Sequence, residues 1–184
     1  ADNVALGRRR RFDIGRFDSA YFSYVAAFGA FSWLSYTTDQ NLKNVLGHTA
    51  YILDGIKDAY KIRPVHLSIN ASGRVYEGDY IFGAVCNSTT IAGTIELPRK
   101  VVDPCDGIFE VMLIKMPRSI SDLDMAIRGL KNQDYSCPVI EFFQASKLSI
   151  NNEPGLEWSL DGECLIPQDN FEFSVMPKFL ELQG

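Results

Sequence analysis

Along most of the chain, apolar and polar residues alternate with a period of two. Val65, Leu67 and Ile69 share one face while His66, Ser68 and Asn70 share the other, the pattern of a half-buried strand. Phe12 and Ile14 flank Asp13 in the same way, and Gly15 to Ser19 hold a turn. The aromatic run from Tyr21 to Phe31 loses its alternation, and Ala26, Ala27 and Gly29 among its rings predict close packing or the wall of a pocket. Ala71-Ser72-Gly73 turns the chain into a strand over Val75–Glu77. Residues 80–86 and 108–116 are apolar almost throughout, which predicts strands covered on both faces. Further strands are predicted at Val139–Phe143, Lys147–Ile150, Phe171–Val175 and Phe179–Leu182, for about ten in all.

Two stretches carry a helical period instead. Over 38–60, Leu42, Val45, Leu46, Thr49, Leu53, Ile56 and Tyr60 fall on one face, and Thr37 and Gln40 have capping-box spacing. Gly47 and Gly55 weaken this helix by about 1 kcal/mol each, and Pro64 stops it. Over 119–132, Ser119 or Ser121 caps a helix whose stripe is Leu123, Ala126, Ile127 and Leu130. Residues 87–107 read as one long loop, a kind that is usually functional or mobile. Consecutive strands joined by short turns predict a mainly β fold: an antiparallel β-sandwich with two attached α-helices, forming a single domain over 1–184.

Composition narrows the function. The net charge of -5 gives no bulk attraction to nucleic acid, so no nucleic-acid partner is expected. No apolar run is long enough to form a membrane-spanning helix, and no signal-peptide core precedes Arg8-Arg9-Arg10-Arg11. Cys86, Cys105, Cys137 and Cys164 lie too far apart to suggest a zinc site and read as thiols of a reducing cytoplasm. The chain opens on Ala1 with a helix-like tail, which reads as an excised domain.

Two acidic turns are the candidate chemistry. In Glu157-Trp158-Ser159-Leu160-Asp161-Gly162-Glu163, Trp158 and Leu160 alternate with polar neighbours and Asp161-Gly162 is a hairpin turn signal. The same tip can present acids to a phosphate-bound metal, and spacing leaves both readings open. Asp103-Pro104-Cys105-Asp106-Gly107 is either an ordinary turn or a holder for a hard cation. No P-loop or Rossmann glycine pattern occurs, and His48 and His66 supply no catalytic triad.

In order and spacing, several segments together resemble the C-terminal domain of bacterial diacylglycerol-kinase-like lipid kinases, relatives of sphingosine and ceramide kinases. They are Arg11-Phe12-Asp13-Ile14-Gly15 with Ala20 to Ala26, Asn44 to Tyr51, Asn87 with Gly93 and Pro98, Asp106-Gly107-Ile108-Phe109-Glu110-Val111, Leu160-Asp161-Gly162-Glu163, and Phe171 to Pro177. Thr94 and Glu110 depart from the family's usual Gly and Asp. The resemblance implies the β-sandwich half of a two-domain enzyme that uses ATP and Mg²⁺ to phosphorylate a lipid hydroxyl. The other half would be an N-terminal nucleotide-binding domain whose Gly-Gly-Asp-Gly loop is absent from this sequence. Asp161, Gly162 and Glu163 would lie at the interdomain cleft beside the phosphates, with Glu163 and Asp161 catalytic. Asp106 and Asp103 would hold a structural Mg²⁺. The implied protein is cytoplasmic and peripheral at the membrane, and a homodimer is open to it. An apolar pocket built from Phe22, Val25, Phe28, Phe31 and Trp33 would favour a lipid acceptor. A polar cleft would favour the related NAD-kinase-type domain, and a remote hairpin would favour a non-enzymatic interaction module.

Overall fold

A computed structural model of the protein describes residues 9–29, 63–91 and 95–183. The helix expected over 38–60 lies outside the described residues, as do Phe31 and Trp33. The strands are β1 (Arg9–Phe17), β2 (Ala20–Phe22), β3 (Val25–Gly29), β4 (Val65–Ala71), β5 (Arg74–Cys86), β6 (Thr90–Ile91), β7 (Ile95–Glu96), β8 (Phe109–Lys115), β9 (Ile140–Ala145), β10 (Lys147–Asn152), β11 (Trp158–Leu160), β12 (Glu163–Leu165) and β13 (Asn170–Gln183). Helix α1 (Ile120–Asn132) sits between β8 and β9. The fold is mainly antiparallel β, as the alternation predicts. Eleven strands form one sheet whose path runs β12-β11-β3-β5-β4-β10-β13-β1-β2, with β8 branching from β5 and β9 from β8.

Strand β5 shows why the pattern changes along the chain. Its first half, Arg74 to Tyr80, pairs with β4 across a Ser72-Gly73 turn in which both φ angles are positive, 53° and 86°. Its second half lies between β3 and β8, so both faces are covered and alternation disappears. The two strands read from the sequence are thus one, with a register shift between Tyr80 and Phe82. Likewise β13 is one strand where two were expected, with Pro177 and left-handed Lys178 (φ 54°) in its middle.

The sheet closes on itself through aromatic packing, and this makes the sandwich. Phe22, on the last strand of the path, stacks on Phe109 of β8 with ring centroids 5.6 Å apart. Phe17, Phe28, Trp158, Phe171 and Phe173 fill the same layer. Gly15 lies inside β1, not in a turn, and is required there. A Cβ at that position would stand 2.2 Å from the Phe22 ring.

The other faces of β3, β5 and β8 carry Val25, Ala27, Phe82, Ala84, Cys86, Met112 and Ile114. Helix α1 covers this second layer together with Ile91, Ile95, Leu97 and Val102. Part of the expected 87–107 loop is therefore a folded cover that includes the small β6–β7 sheet. Ser119 caps α1 by accepting the Asp122 N–H, and the helix turns Ala126 and Gly129 inward, with Met125 and Leu130 beside them. Gly129 permits the helix to end tightly, since a Cβ there would meet the Asp134 carbonyl at 2.8 Å. Among the described residues, no helix is long and apolar enough to cross a membrane.

Candidate functional site

The hairpin at Asp161-Gly162 joins β11 to β12, and Leu160 pairs with Glu163 across it. Trp158 and Leu160 point inward and anchor β11, with Trp158 1% exposed. Asp161 (φ 50°) and Gly162 (φ 100°) are both left-handed, as a two-residue turn of this kind demands. Space around Gly162 is open, so its φ is what favours glycine there.

The Asp161 side chain is fully engaged. Its Oδ1 accepts the backbone N–H groups of Tyr24 (3.0 Å) and Val25 (2.9 Å). Its Oδ2 accepts the Ser23 N–H (2.7 Å) and the Ser23 hydroxyl (3.0 Å). The Asp161 N–H in turn donates to the Val25 carbonyl. This carboxylate clamps the Ser23-Tyr24 bend between β2 and β3 onto the hairpin tip. Glu163 is different: its side chain is exposed, and none of the described residues bonds it.

Asn87, 5% exposed, holds the same bend from the other side. Its N–H donates to the Tyr24 carbonyl, and its Nδ2 donates to the Asp13 carbonyl at 2.7 Å and, more weakly, to the Ser23 carbonyl at 3.4 Å. Asp13 is 1% exposed, and each of its carboxylate oxygens takes one backbone N–H at 2.6 Å, from Gly107 and from Lys178. Asp103 and Asp106 lie on the turn that Gly107 ends. Asp103 Oδ1 accepts the Cys105 N–H and Asp106 Oδ1 accepts the Ile108 N–H. Burial raises the Asp106 carboxyl above its ordinary range; the Ile108 N–H opposes this, and the charges of Asp103 and Asp13 add to it.

Glu110 lies 1% exposed on the second-layer face of β8, where its carboxylate accepts from the Gln144 side chain at 3.0 Å. Burial pushes its pKa up to about 7, against the Gln144 bond, and the negative charges of Asp106 and Asp103 contribute in the same direction.

Strand register gathers these groups at one end of the sheet. The pairs Leu160–Ala26, Val25–Cys86, Cys86–Glu110 and Glu110–Gln144 run across β11, β3, β5, β8 and β9 in sequence. The hairpin tip, the Ser23-Tyr24 bend, Asn87 and Glu110 all lie on or just beyond that row. From the sequence alone Asp13 has no role of its own, and Glu110 is marked only as a departure from the resembled family's Asp. Asp13 occupies a polar slot of an alternating pattern, and a register shift between Phe12 and Ile14 turns it inward. Glu110 did carry a signal, being the one carboxylate inside a run read as buried.

Among the described residues, no three His, Cys, Asp or Glu side chains converge on one point. Asp103 and Asp106 each have one carboxylate oxygen bonded within the turn, and two carboxylates do not make an all-protein cage. Of the side chains weighed as a lipid pocket, the three described ones are committed elsewhere: Phe22 and Phe28 pack in the first layer and Val25 in the second.

The architecture is that of the β-rich half of diacylglycerol-kinase-like proteins. The chain aligns over 98% of its length with the crystal structure of a diacylglycerol kinase from Bacillus anthracis, at a TM-score of 0.64 and 15% identity, covering 56% of that chain. An NAD kinase from Archaeoglobus fulgidus, solved in complex with ATP, shares the fold at a TM-score of 0.54 and 10% identity, with 58% of it covered. In sequence, the chain is 27% identical over 164 residues to the "Diacylglycerol kinase" of Bacillus subtilis, which is 89% of this chain and 54% of that one. It is 29% identical over 170 residues to the "Probable lipid kinase YegS-like" of Shewanella frigidimarina, again 54% of the relative. No protein-family model matches the chain. The resemblance read from the sequence therefore stands: the chain is similar to diacylglycerol-kinase-type lipid kinases over about nine tenths of its length. It spans about half the length of these relatives.

Proposed function

We propose that this chain is the acceptor-side half of a kinase that transfers the γ-phosphoryl group of ATP to a lipid hydroxyl. The observation that carries the reading is the division of labour at the hairpin. Asp161 spends its carboxylate on holding the tip, and Glu163 two residues on presents an exposed carboxylate that none of the described residues bonds. Phosphoryl transfer needs mainly positioning and charge neutralisation, with one group to take the acceptor's proton. In the proposed step the lipid oxygen bonds to the γ-phosphorus as the bond to the β–γ bridging oxygen breaks. ADP leaves, and the hydroxyl proton passes to Glu163. Asp161 and Gly162 set the tip beside the phosphates. Mg²⁺ at Asp103 and Asp106 would neutralise two like charges and stiffen the turn that carries them.

The nucleotide site belongs to a second half of the protein. The β1–β13 ribbon supports this. Over Arg9 to Phe12 and Leu180 to Gln183, β1 and β13 pair only with each other among the described residues, and Phe179, Leu180 and Leu182 at that end of β13 are 59%, 38% and 49% exposed. A bare two-stranded ribbon with such side chains is marginal in water and calls for a cover. A lipid acceptor makes the working enzyme peripheral at a membrane surface. Sequence similarity to lipid kinases favours the lipid over the NAD-type acceptor, since the NAD kinase shares only the fold.

The test is a protein of the relatives' full length, assayed with ATP against diacylglycerol, a sphingoid base, phosphatidylglycerol and NAD. One lipid should be phosphorylated, Glu163→Gln should lower kcat by about 10²-fold or more, and residues 1–184 alone should be inactive. Unchanged kcat in Glu163→Gln, activity of 1–184 alone, or phosphorylation of NAD only would each overturn the reading.

A further inference from the structure

We infer that Asp13 and Asn87 are positioning residues that lock the Glu163 hairpin to the Asp103–Gly107 turn; the inference rests on the kinase reading above. Four polar atoms of Asp13 tie three separate segments together. Its N–H donates to the Pro104 carbonyl at 2.9 Å, its carbonyl accepts from Asn87, and its two carboxylate oxygens take Gly107 and Lys178. Gly107 and Lys178 both have left-handed backbones, φ 78° and 54°, so each bond fixes a chain in an uncommon conformation. Asn87 carries the connection onward, since its donors reach Asp13, Ser23 and Tyr24. The Ser23-Tyr24 bend is then gripped through its carbonyls by Asn87 and through its N–H groups by Asp161. The path from Gly107 to the Glu163 hairpin thus consists of successive hydrogen bonds without an apolar gap, buried at Asn87 and reaching the surface at Asp161.

The chemistry of the two side chains fits this task and little else. Both Asp13 oxygens face donors, so an amide in its place would set an NH₂ against an N–H. Asn87 Nδ2 lies between two carbonyls, so an acid in its place would set oxygen against oxygen. Burying a carboxylate is costly, and an apolar residue would serve a plain strand core better. What the carboxylate supplies is a fixed geometry between two loops. Misplacement of a reacting group by about 1 Å can cost about 10² in rate.

The experiment uses the full-length enzyme with Asp13→Asn and Asn87→Ala, each also combined with Glu163→Gln. Steady-state kinetics at a temperature well below every melting point should show kcat reduced at least about tenfold, with KM for ATP within about threefold. In the Glu163→Gln background neither change should lower kcat further. Hydrogen exchange supplies a readout apart from activity. Amides of Tyr24 and Val25 should lose protection in Asn87→Ala, while those of Leu67 and Ile69 in β4 keep theirs. Wild-type kcat in both variants, or full additivity with Glu163→Gln, overturns the inference. Should Asp13→Asn fail to fold, Asn87→Ala alone decides. If the wild-type enzyme phosphorylates no lipid, the kinase reading is what has failed. The exchange arm then still decides the locking role: local loss supports it and uniform loss overturns it.

Discussion

The substitution Glu110→Gln changes one proton-binding group and almost no volume, so its effect on stability should depend on pH alone. In the folded protein this carboxyl titrates near 7, against an ordinary value of 4.5. Between those two pH values the folded chain keeps a proton that the unfolded chain has released. Stability therefore falls as pH rises through this window, by about 1.4 kcal/mol per pH unit and by roughly 3 kcal/mol in total. The amide introduced by the substitution would stay neutral throughout and can still accept from Gln144. The variant should match the wild type near pH 4.5 and exceed it by about 3 kcal/mol above pH 7. Urea unfolding of both proteins at about pH 5, 6, 7 and 8 in EDTA measures the gap. Other titrating groups cancel in the difference, and EDTA removes any cation at Asp103 and Asp106 that would draw the proton off Glu110. Asp106→Asn should narrow the window, because the Asp106 charge helps to hold that proton. A gap that stays constant across pH would refute the reasoning.

Gly15→Ala should cost about 2–3 kcal/mol, because its methyl would overlap the Phe22 ring that closes the sandwich. A thermal melt unchanged by this substitution would mean that the ring does not pack there. Asp161→Ala should cost about 2 kcal/mol, since it releases four hydrogen bonds and places Ala at φ 50°. Glu163→Gln should change stability by less than about 0.5 kcal/mol. Equal losses for these two in urea unfolding would abolish the distinction between a holding and a presenting acid.

The strands were legible wherever one face meets solvent. At β4 the alternation gives Val65, Leu67 and Ile69; Leu67 and Ile69 are buried, Val65 is half-buried, and Ala71, read as part of the turn, ends the inward set. The pattern blurred where tertiary contacts change along a single strand. Strand β5 was read as two because its second half acquires a second layer, and β13 was read as two because Pro177 interrupts it without ending it. The stripe of α1 was partly displaced, since close approach to the sheet selected Ala126 and Gly129 over the larger Leu123 and Ile127. The hairpin at Asp161-Gly162 was fully legible, because its turn chemistry is local. Which partners the acids would take was not, because Ser23 and Tyr24 lie more than a hundred residues away in the chain.

The distant partners Ser23 and Tyr24 change what the Asp161-Gly162-Glu163 triplet means. Read as a sequence, it offers two acids at one turn, as though both served the same purpose. A carboxylate that already accepts four hydrogen bonds has no acceptor position left for a proton or a metal without giving one up. Asp161 is therefore suited to fixing where the turn stands, and Glu163 to acting from it. The same division recurs at the other turn. Asp13, buried and doubly bonded, fixes Gly107, and Asp103 and Asp106 each keep one oxygen that none of the described residues bonds. At each turn, the acid that could do chemistry depends on a neighbouring acid that cannot. Substituting the holder should then lower activity by moving the actor, whereas substituting the actor should leave the fold intact.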